Sequence, residues 1–287
     1  MLEQHLYRSI DVNSWDALVR ECQNLPLDED GKEKKWIFRG QKRTHGDKFD
    51  FVTSLERAAQ AFELGNKLSE SETKLKREFR RRLHHYQIHL PDKEDTLELL
   101  ALMQHYGAPT RLLDWTYSFY VATFFAVEEP GESYEVWALN ANWFSVETVE
   151  HGTICQLKDD AEKKAKSENQ DIPIARQQAV IDFLLKNPRA AVENVNPFVL
   201  NERLTIQQGV FLFPGDIDRG FEENLEADGY AARSSSNLYR FKIDTNARRK
   251  ILQNLHRMNL NRATLFPGLD GFAKSLWTRL SSPETLG

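Results

Sequence analysis

The chain has 287 residues, of which 40% are hydrophobic and 28% charged. That apolar content can bury a full core, which excludes a disordered or fibrous protein. With 38 Lys and Arg against 43 Asp and Glu, the net charge of -5 gives no overall pull towards nucleic acid or anionic lipid, so such a partner would need a local patch.

Two cysteines, Cys22 and Cys155, stand far apart and outside any CxxC spacing. Neither a disulfide framework nor a zinc knuckle is expected, and a reducing compartment fits. The opening stretch MLEQHLYRSIDVNSWDAL has no apolar core of the secretory kind, and no run of about eighteen apolar residues follows. A cytoplasmic protein with no membrane partner is expected.

Asp11 or Ser14 is positioned to cap a helix through Trp15, Leu18, Val19 and Cys22, whose spacing buries one face. The charged loop LPLDEDGKEKK ends it. Trp36, Ile37 and Phe38 are β-favouring residues in a row and predict a short buried strand ending at Gly40, with Arg39 at the strand end. Residues 54 to 89 read as helical, with Glu63, Glu70 and Glu72 early and the basic KLKREFRRRLHH late, the order that a helix dipole favours. A second helix, DTLELLALMQHY, opens with Asp95 or Thr96 as its cap. It stops at Gly107, and Pro109 prevents its resumption. Residues 111 to 116 are strand-like or irregular. The stretch SFYVATFFAV (118 to 127), apolar on every side, predicts an interior helix because Ala122 and Ala126 repeat at a helical interval.

After the turn PGES, YEVWALN (134 to 140) reads as a strand. The segment LKDDAEKKAKSENQD is low in apolar residues and predicts a polar surface insertion near 156 to 172. A helix around 175 to 186, strands at GVFLFPG and LYRFKID, and an amphipathic helix from Ala247 to Met258 follow. That last helix carries Ile251, Leu252, Leu255 and Met258 on its apolar side. Helices dominate the first half and strands the second, so the expected class is α+β, a helical N-terminal half packed on a mixed or antiparallel sheet.

No GxGxxG, GxxxxGK[ST], HExxH, GxSxG or EF-hand loop occurs, which removes the chemistries that those motifs carry. His84, His85 and His89 raise a metal site, since His85 and His89 would share a helical face. Arg80, Arg81 and Arg82 directly upstream disfavour a cation, so no metal is expected. The same basic run, 74 to 85, can touch phosphates or form a solvated face. It specifies neither a groove nor a base, and nucleic acid is not the expected partner.

In WIFRGQ, Arg39 either holds a diphosphate or carboxylate in a two-pronged contact or pairs with a buried acid to pin the strand. Gly40 would admit the close approach of a ligand. In HYGAPTRLLDWT, Arg111 and Asp114 are three apart and either pair with each other or join His105, Tyr106, Thr110, Trp115 and Thr116 in a binding loop braced by the apolar helix. In RLTIQQGVF, the amides of Gln207 and Gln208 stand at a strand start, where they can orient sugar hydroxyls or simply lie at the surface.

The segments FRGQ (38 to 41), LLALMQHYGAPTRLLDWTYSFYVATFFA (99 to 126), VWALN (136 to 140), RLTIQQGVF (203 to 211) and TLFPGLDGF (264 to 272) together resemble the FRG domain, a bacterial and phage family named for its Phe-Arg-Gly motif. The resemblance implies one FRG-type domain over 1 to 287, with a core of about 12 to 276, and brings no settled activity with it. The order of elements is also similar to that of ADP-ribosyltransferases. On that likeness Arg39 would hold the NAD diphosphate or ribose, with Gly40 and Gln41 beside it. Thr116 or Ser118 would support the nicotinamide ribose, and Gln208 would stand where a catalytic Glu is expected. A Gln grips a sugar hydroxyl but cannot carry charge against an oxocarbenium-like state, which leaves Asp114, kept ionised by Arg111, to supply the carboxylate.

The expected catalytic set is therefore Arg39, Asp114, Thr116 and Gln208. The expected ligand-binding set is Arg39, Gly40, Gln41, His105, Tyr106, Thr110, Arg111 and Trp115. The function that the likeness implies is an ADP-ribosyltransferase or NAD glycohydrolase with NAD as substrate, a toxin or phage-defence effector with a protein target or regulator as partner. The alternatives are a non-catalytic nucleotide-binding or protein-interaction module, and nucleic-acid binding through residues 74 to 85.

Overall fold

The computed structural model describes residues 7–27, 35–43, 51–65, 67–86, 91–92, 95–141, 149–197, 202–227 and 237–281. In chain order the elements are β1 (Arg8–Val12), α1 (Trp15–Gln23), β2 (Trp36–Arg43), α2 (Ser54–Ala61), α3 (Leu68–Leu83), α4 (Thr96–His105), β3 (Leu113–Thr116), α5 (Phe119–Val127), β4 (Ser133–Asn140) and α6 (Val149–Glu168). The rest are α7 (Ile172–Lys186), β5 (Val192–Val195), α8 (Glu202–Ile206), β6 (Gly209–Pro214), α9 (Phe221–Ala227), β7 (Leu238–Ile243), α10 (Arg248–Arg257), α11 (Arg262–Leu265) and α12 (Leu269–Arg279). Among the described residues, no helix is long and apolar enough to cross a membrane.

The seven strands form one mixed sheet in the order β1-β7-β4-β2-β3-β6-β5, with β1 and β7 parallel and the other pairs antiparallel. The class is α+β. Strands come from both halves of the chain, so the division of helices from strands along the chain is less sharp than the residue pattern suggests. The pleat sends alternate residues to opposite faces. Phe38, Val136, Ala138 and Phe241 pack under α5 and α10, whereas Ile37, Trp137, Leu139 and Leu212 face Phe51 and Phe221. A third cluster joins Leu100 and Met103 of α4 to Ile181 and Leu184 of α7 and to Phe211 and Phe213 of β6.

Local signals mostly place the elements. The Ser14 hydroxyl accepts from the Ala17 N–H and caps α1, and the Asp95 carboxylate accepts from the Glu98 N–H and caps α4. Where one long helix is expected from 54 to 89, the structure has two. Thr53 and Glu56 form a capping box for α2, and positive φ at Glu63 and Gly65 turns the chain before α3 begins; His89 lies outside the described residues. The segment expected as a polar insertion belongs largely to α6. Its few apolar residues suffice because α7 covers them: Ile154 and Ala165 are buried, and the Arg176 guanidinium donates to Glu162 at 3.0 Å. Met258, placed on the apolar side of α10 by its spacing, is 49% exposed because it follows the helix end.

Strand β2 continues past Gly40 to Arg43, since β4 pairs with it over eight residues. At Gly40 the backbone of α5 lies directly on the strand: a Cβ there would sit 1.7 Å from the Ala122 carbonyl oxygen and 2.6 Å from the Ala126 nitrogen. The glycine therefore admits the chain's own helix and not a ligand, which corrects the expected role of Gly40. Gly40→Ala is expected to lower stability by about 1–3 kcal/mol or more, because the atoms it would meet are α5 backbone, with no flexible side chain to give way. Gly152→Ala on α6, where a Cβ would meet nothing within 4 Å, is expected to leave stability unchanged or slightly raised. Chemical denaturation of both variants checks the contrast.

Candidate functional site

The sheet opens beside β2. On one side β2 pairs with β4 along its full length, but on the other it meets β3 at the single pair Phe38↔Thr116. Arg39, the next residue, reaches across the opening: its Nη1 donates to the Asp114 carbonyl oxygen at 2.6 Å. A side chain thus bridges the two strands where the main-chain ladder has stopped. The Arg39 Nε is enclosed and has no hydrogen-bond partner. Burial lowers the Arg39 pKa to about 10, with Asp114 opposing the shift and Arg57 adding to it, so the guanidinium stays charged at neutral pH.

Asp114 is exposed between the buried Leu113 and Trp115, as strand alternation requires. Its Oδ2 accepts from the Gln104 Nε2 at 2.8 Å. Gln104 is itself fixed, because its Oε1 accepts from the Thr110 hydroxyl at 2.5 Å and from the Ser54 hydroxyl at 3.3 Å. Thr110 is fully buried, and its N–H donates to the Ser54 hydroxyl at 2.9 Å. Thr110 therefore orients Gln104, which orients the carboxylate. Gln104 escapes the sequence reading; the signal that would find it is its place in the last turn of α4, directly before the Gly107 turn.

Two more cations adjoin the contact of Arg39 with Asp114, Arg57 beside Arg39 and Arg203 beside Asp114. Arg57 of α2 donates to the Val52 carbonyl at 2.6 Å and is close enough to disfavour the charge on Arg39. Arg203 of α8 lies over the Phe266 ring at 4.3 Å. Burial pushes the Arg203 pKa down, Asp114 pushes it up, and Arg262 adds to the lowering. His105 is half-buried, and burial with Arg203 nearby holds its imidazole below the usual value. Among the described residues, none of Arg39, Arg57 and Arg203 forms an ion pair. Arg39, Arg57 and Arg203 outnumber Asp114 here and leave a net positive site, suited to an anion with more than one charge. Arg57 and Arg203 also escape the sequence reading, since they lie far from Arg39 in the chain.

Residues 34–135 match the FRG domain family. The chain carries an FRG domain. The matched span of the FRG domain holds Arg39, Arg57, Gln104, His105 and Asp114, whereas Arg203 and Gln208 lie beyond it. No curated protein and no solved structure matches the chain.

Several residues expected at the FRG site serve the fold. Arg111 is buried and makes a two-pronged pair with Glu72, Nε to Oε1 at 2.7 Å and Nη2 to Oε2 at 2.6 Å, while its Nη1 donates to the Pro214 carbonyl at 3.3 Å. It stacks over Phe213 at 4.8 Å. It is therefore neither the partner of Asp114 nor a ligand-binding residue. Trp115 is 3% exposed and packs against Phe51, which removes it as a stacking surface. The Gln41 Nε2 donates to Glu135 at 3.2 Å. Tyr106 is 65% exposed but lines a groove between α3 and α4. Thr116 is 4% exposed; its hydroxyl donates to the Gln207 carbonyl at 2.6 Å and accepts from the Ser118 N–H at 2.9 Å, which ties β3 to the turn before β6. Gln208 occupies that turn with a φ of 48 and an exposed side chain.

The buried Glu72–Arg111 pair gives a pH prediction. Burial raises the Glu72 pKa, but Arg111 and then Lys76 outweigh it and hold the carboxyl below its usual value of 4.5. A lowered folded-state pKa contributes stability above the unfolded value that is lost as pH falls through the folded value. Unfolding of the wild type at pH 7 and in steps below pH 4.5 is expected to show that loss. Glu72→Gln is expected to be destabilised by about 3–5 kcal/mol at pH 7, because it strands a buried guanidinium, and to lack this acid-range component.

Proposed function

We propose that this FRG domain binds a nucleotide diphosphate of the NAD type across the opening between β2 and β3, and that it cleaves the nicotinamide–ribose bond. The observation that carries the reading is Arg39, held across the opening against Asp114 with its Nε enclosed and unpartnered. Arg57 and Arg203 supply the further positive charge that a diphosphate needs. Gln208, exposed in the turn before β6, extends the site, whereas the Thr116 hydroxyl is committed to that turn.

In the reaction, the C1′–N bond breaks with its electron pair going to the nicotinamide nitrogen, which becomes neutral. The ribose left behind carries positive charge. Asp114, aimed by Gln104, faces that charge as the one carboxylate of the cluster, and Gln208 grips a ribose hydroxyl. Water or an acceptor side chain then adds at C1′ and loses a proton, the first giving glycohydrolase and the second ADP-ribosyltransferase activity. Consumption of NAD or modification of a protein target suits a toxin or phage-defence effector. A second reading, a binding module without chemistry, is favoured by Gln208 standing where the transferase pattern has Glu.

Incubation of the purified chain with NAD is expected to release nicotinamide. Arg39→Ala and Asp114→Ala should each cut the rate by about 100-fold or more if they act on the transition state. NAD at about 100 times its Kd should add about 2.7 kcal/mol of stability to the wild type and none to Arg39→Ala. A raised Tm without nicotinamide release selects the binding module; neither effect overturns the NAD reading.

A further inference from the structure

The segment TLFPGLDGF, residues 264 to 272, lies beyond the span that matches the FRG domain, yet it reaches the candidate site. It is held from three sides. Asn261 is buried and caps α11, its side chain accepting the Ala263 N–H at 3.0 Å and the Thr264 N–H at 3.3 Å. Gln207, in the turn before β6, donates to the Leu265 carbonyl at 3.0 Å. At Gly271 the first turn of α12 rests on Phe266, since a Cβ there would sit 1.8 Å from the Phe266 carbonyl oxygen. The backbone around Phe266 is therefore fixed, and Phe125 of α5 meets its ring edge-on with the centroids 6.0 Å apart.

That ring carries two guanidiniums. The central carbons of Arg203 and Arg262 both lie 4.3 Å from its centroid, within reach of the attraction between a cation and an aromatic face. The two are not equivalent. Arg262 is paired with Glu128 at 2.7 Å, whereas Arg203 is half-buried and, among the described residues, forms no ion pair and donates no hydrogen bond. Asp114 attracts Arg203 without pairing with it, and Arg262 repels it. An arginine that served only the fold would meet an acid, as Arg262 does. Arg203 has a flat ring instead, which holds the guanidinium and leaves its N–H donors for a ligand.

We propose that Phe266 is a positioning residue of the FRG site: its ring holds Arg203 beside Asp114, where the guanidinium receives a phosphate of the bound ligand. The role rests on the reading of that site as one for a polyanion, advanced above. On that reading the site has two aimed arms. Gln104 of α4 aims Asp114, and α11 with α12 aims Arg203 through Phe266. The same support reaches Gln208, because its neighbour Gln207 is tied to Leu265.

The test is calorimetric titration of the full chain with inorganic pyrophosphate and, in parallel, with NAD, the variants being read on each ligand that binds. Phe266→Leu and Phe266→Met keep apolar volume and lose the ring, whereas Phe266→Tyr keeps it. The first two are expected to weaken binding about tenfold, and Phe266→Tyr to bind as the wild type does. In an Arg203→Gln background Phe266→Leu is expected to add nothing, because the ring acts through that guanidinium. Circular dichroism checks that the variants fold. A further readout needs no variant: pyrophosphate is expected to protect Arg203 of the wild type from phenylglyoxal, followed by mass spectrometry of its peptides. Undiminished binding in Phe266→Leu, an equal loss in Phe266→Tyr, a further loss in the Arg203→Gln background, or an unprotected Arg203 would each overturn the proposal. The expected pattern with pyrophosphate and no binding of NAD would overturn the NAD reading alone, and binding of neither ligand overturns both.

Discussion

A guanidinium shut away from water holds the centre of this protein together. Arg111 and Glu72 are both nearly inaccessible, and their two-pronged contact joins α3 to the loop between α4 and β3. A pair so deep is no large net gain in free energy, because desolvation of two ions opposes their attraction. What it supplies is position. Arg111 also meets the Pro214 carbonyl and the Phe213 ring, so the loop is fixed to β6 as well as to α3. Next to it, Thr110 accepts the Leu55 N–H at 3.1 Å through its carbonyl and fixes the loop to α2.

The candidate site depends on that anchored loop. Thr110 aims Gln104, Gln104 aims Asp114, and the Asp114 carbonyl receives Arg39. Each step is a single hydrogen bond worth about 1 kcal/mol net, too little to order an exposed carboxylate alone. The order comes from burial beneath it, where Leu113 and Trp115 are locked in the core. The opening of the sheet is equally a consequence of packing. Strand β2 is occupied along one edge by β4 and on one face by α5, which Gly40 lets down onto it; β3 then touches β2 at one pair before the strands part.

The same segment thus splits into two kinds of residue with nothing in composition to separate them. Arg39 follows an apolar run and Arg111 precedes one, and both lie in the span that matches the FRG domain. One keeps an enclosed nitrogen without a partner and forms no ion pair among the described residues; the other is saturated by Glu72, 39 residues away. Tyr106 and Trp115 differ in the same way, one at a groove mouth and one in the core.

Local physical chemistry was readable in the sequence. The caps at Ser14 and Asp95, the stop at Gly107, the interior helix of Phe119–Val127 and the strands at 134 to 140, 209 to 214 and 238 to 243 all follow from turn chemistry and periodicity, and the motif order identified the FRG domain. Short elements without such signals, β1 and β5, were not readable, because they are held by neighbouring strands and not by their own residues. Only the tertiary structure decided which polar groups meet. Pairings such as Glu72 with Arg111, Gln104 with Asp114, and Arg203 with Phe266 join residues whose separation in sequence carries no energetic term, so their partners exist only once the sheet and its helices have packed.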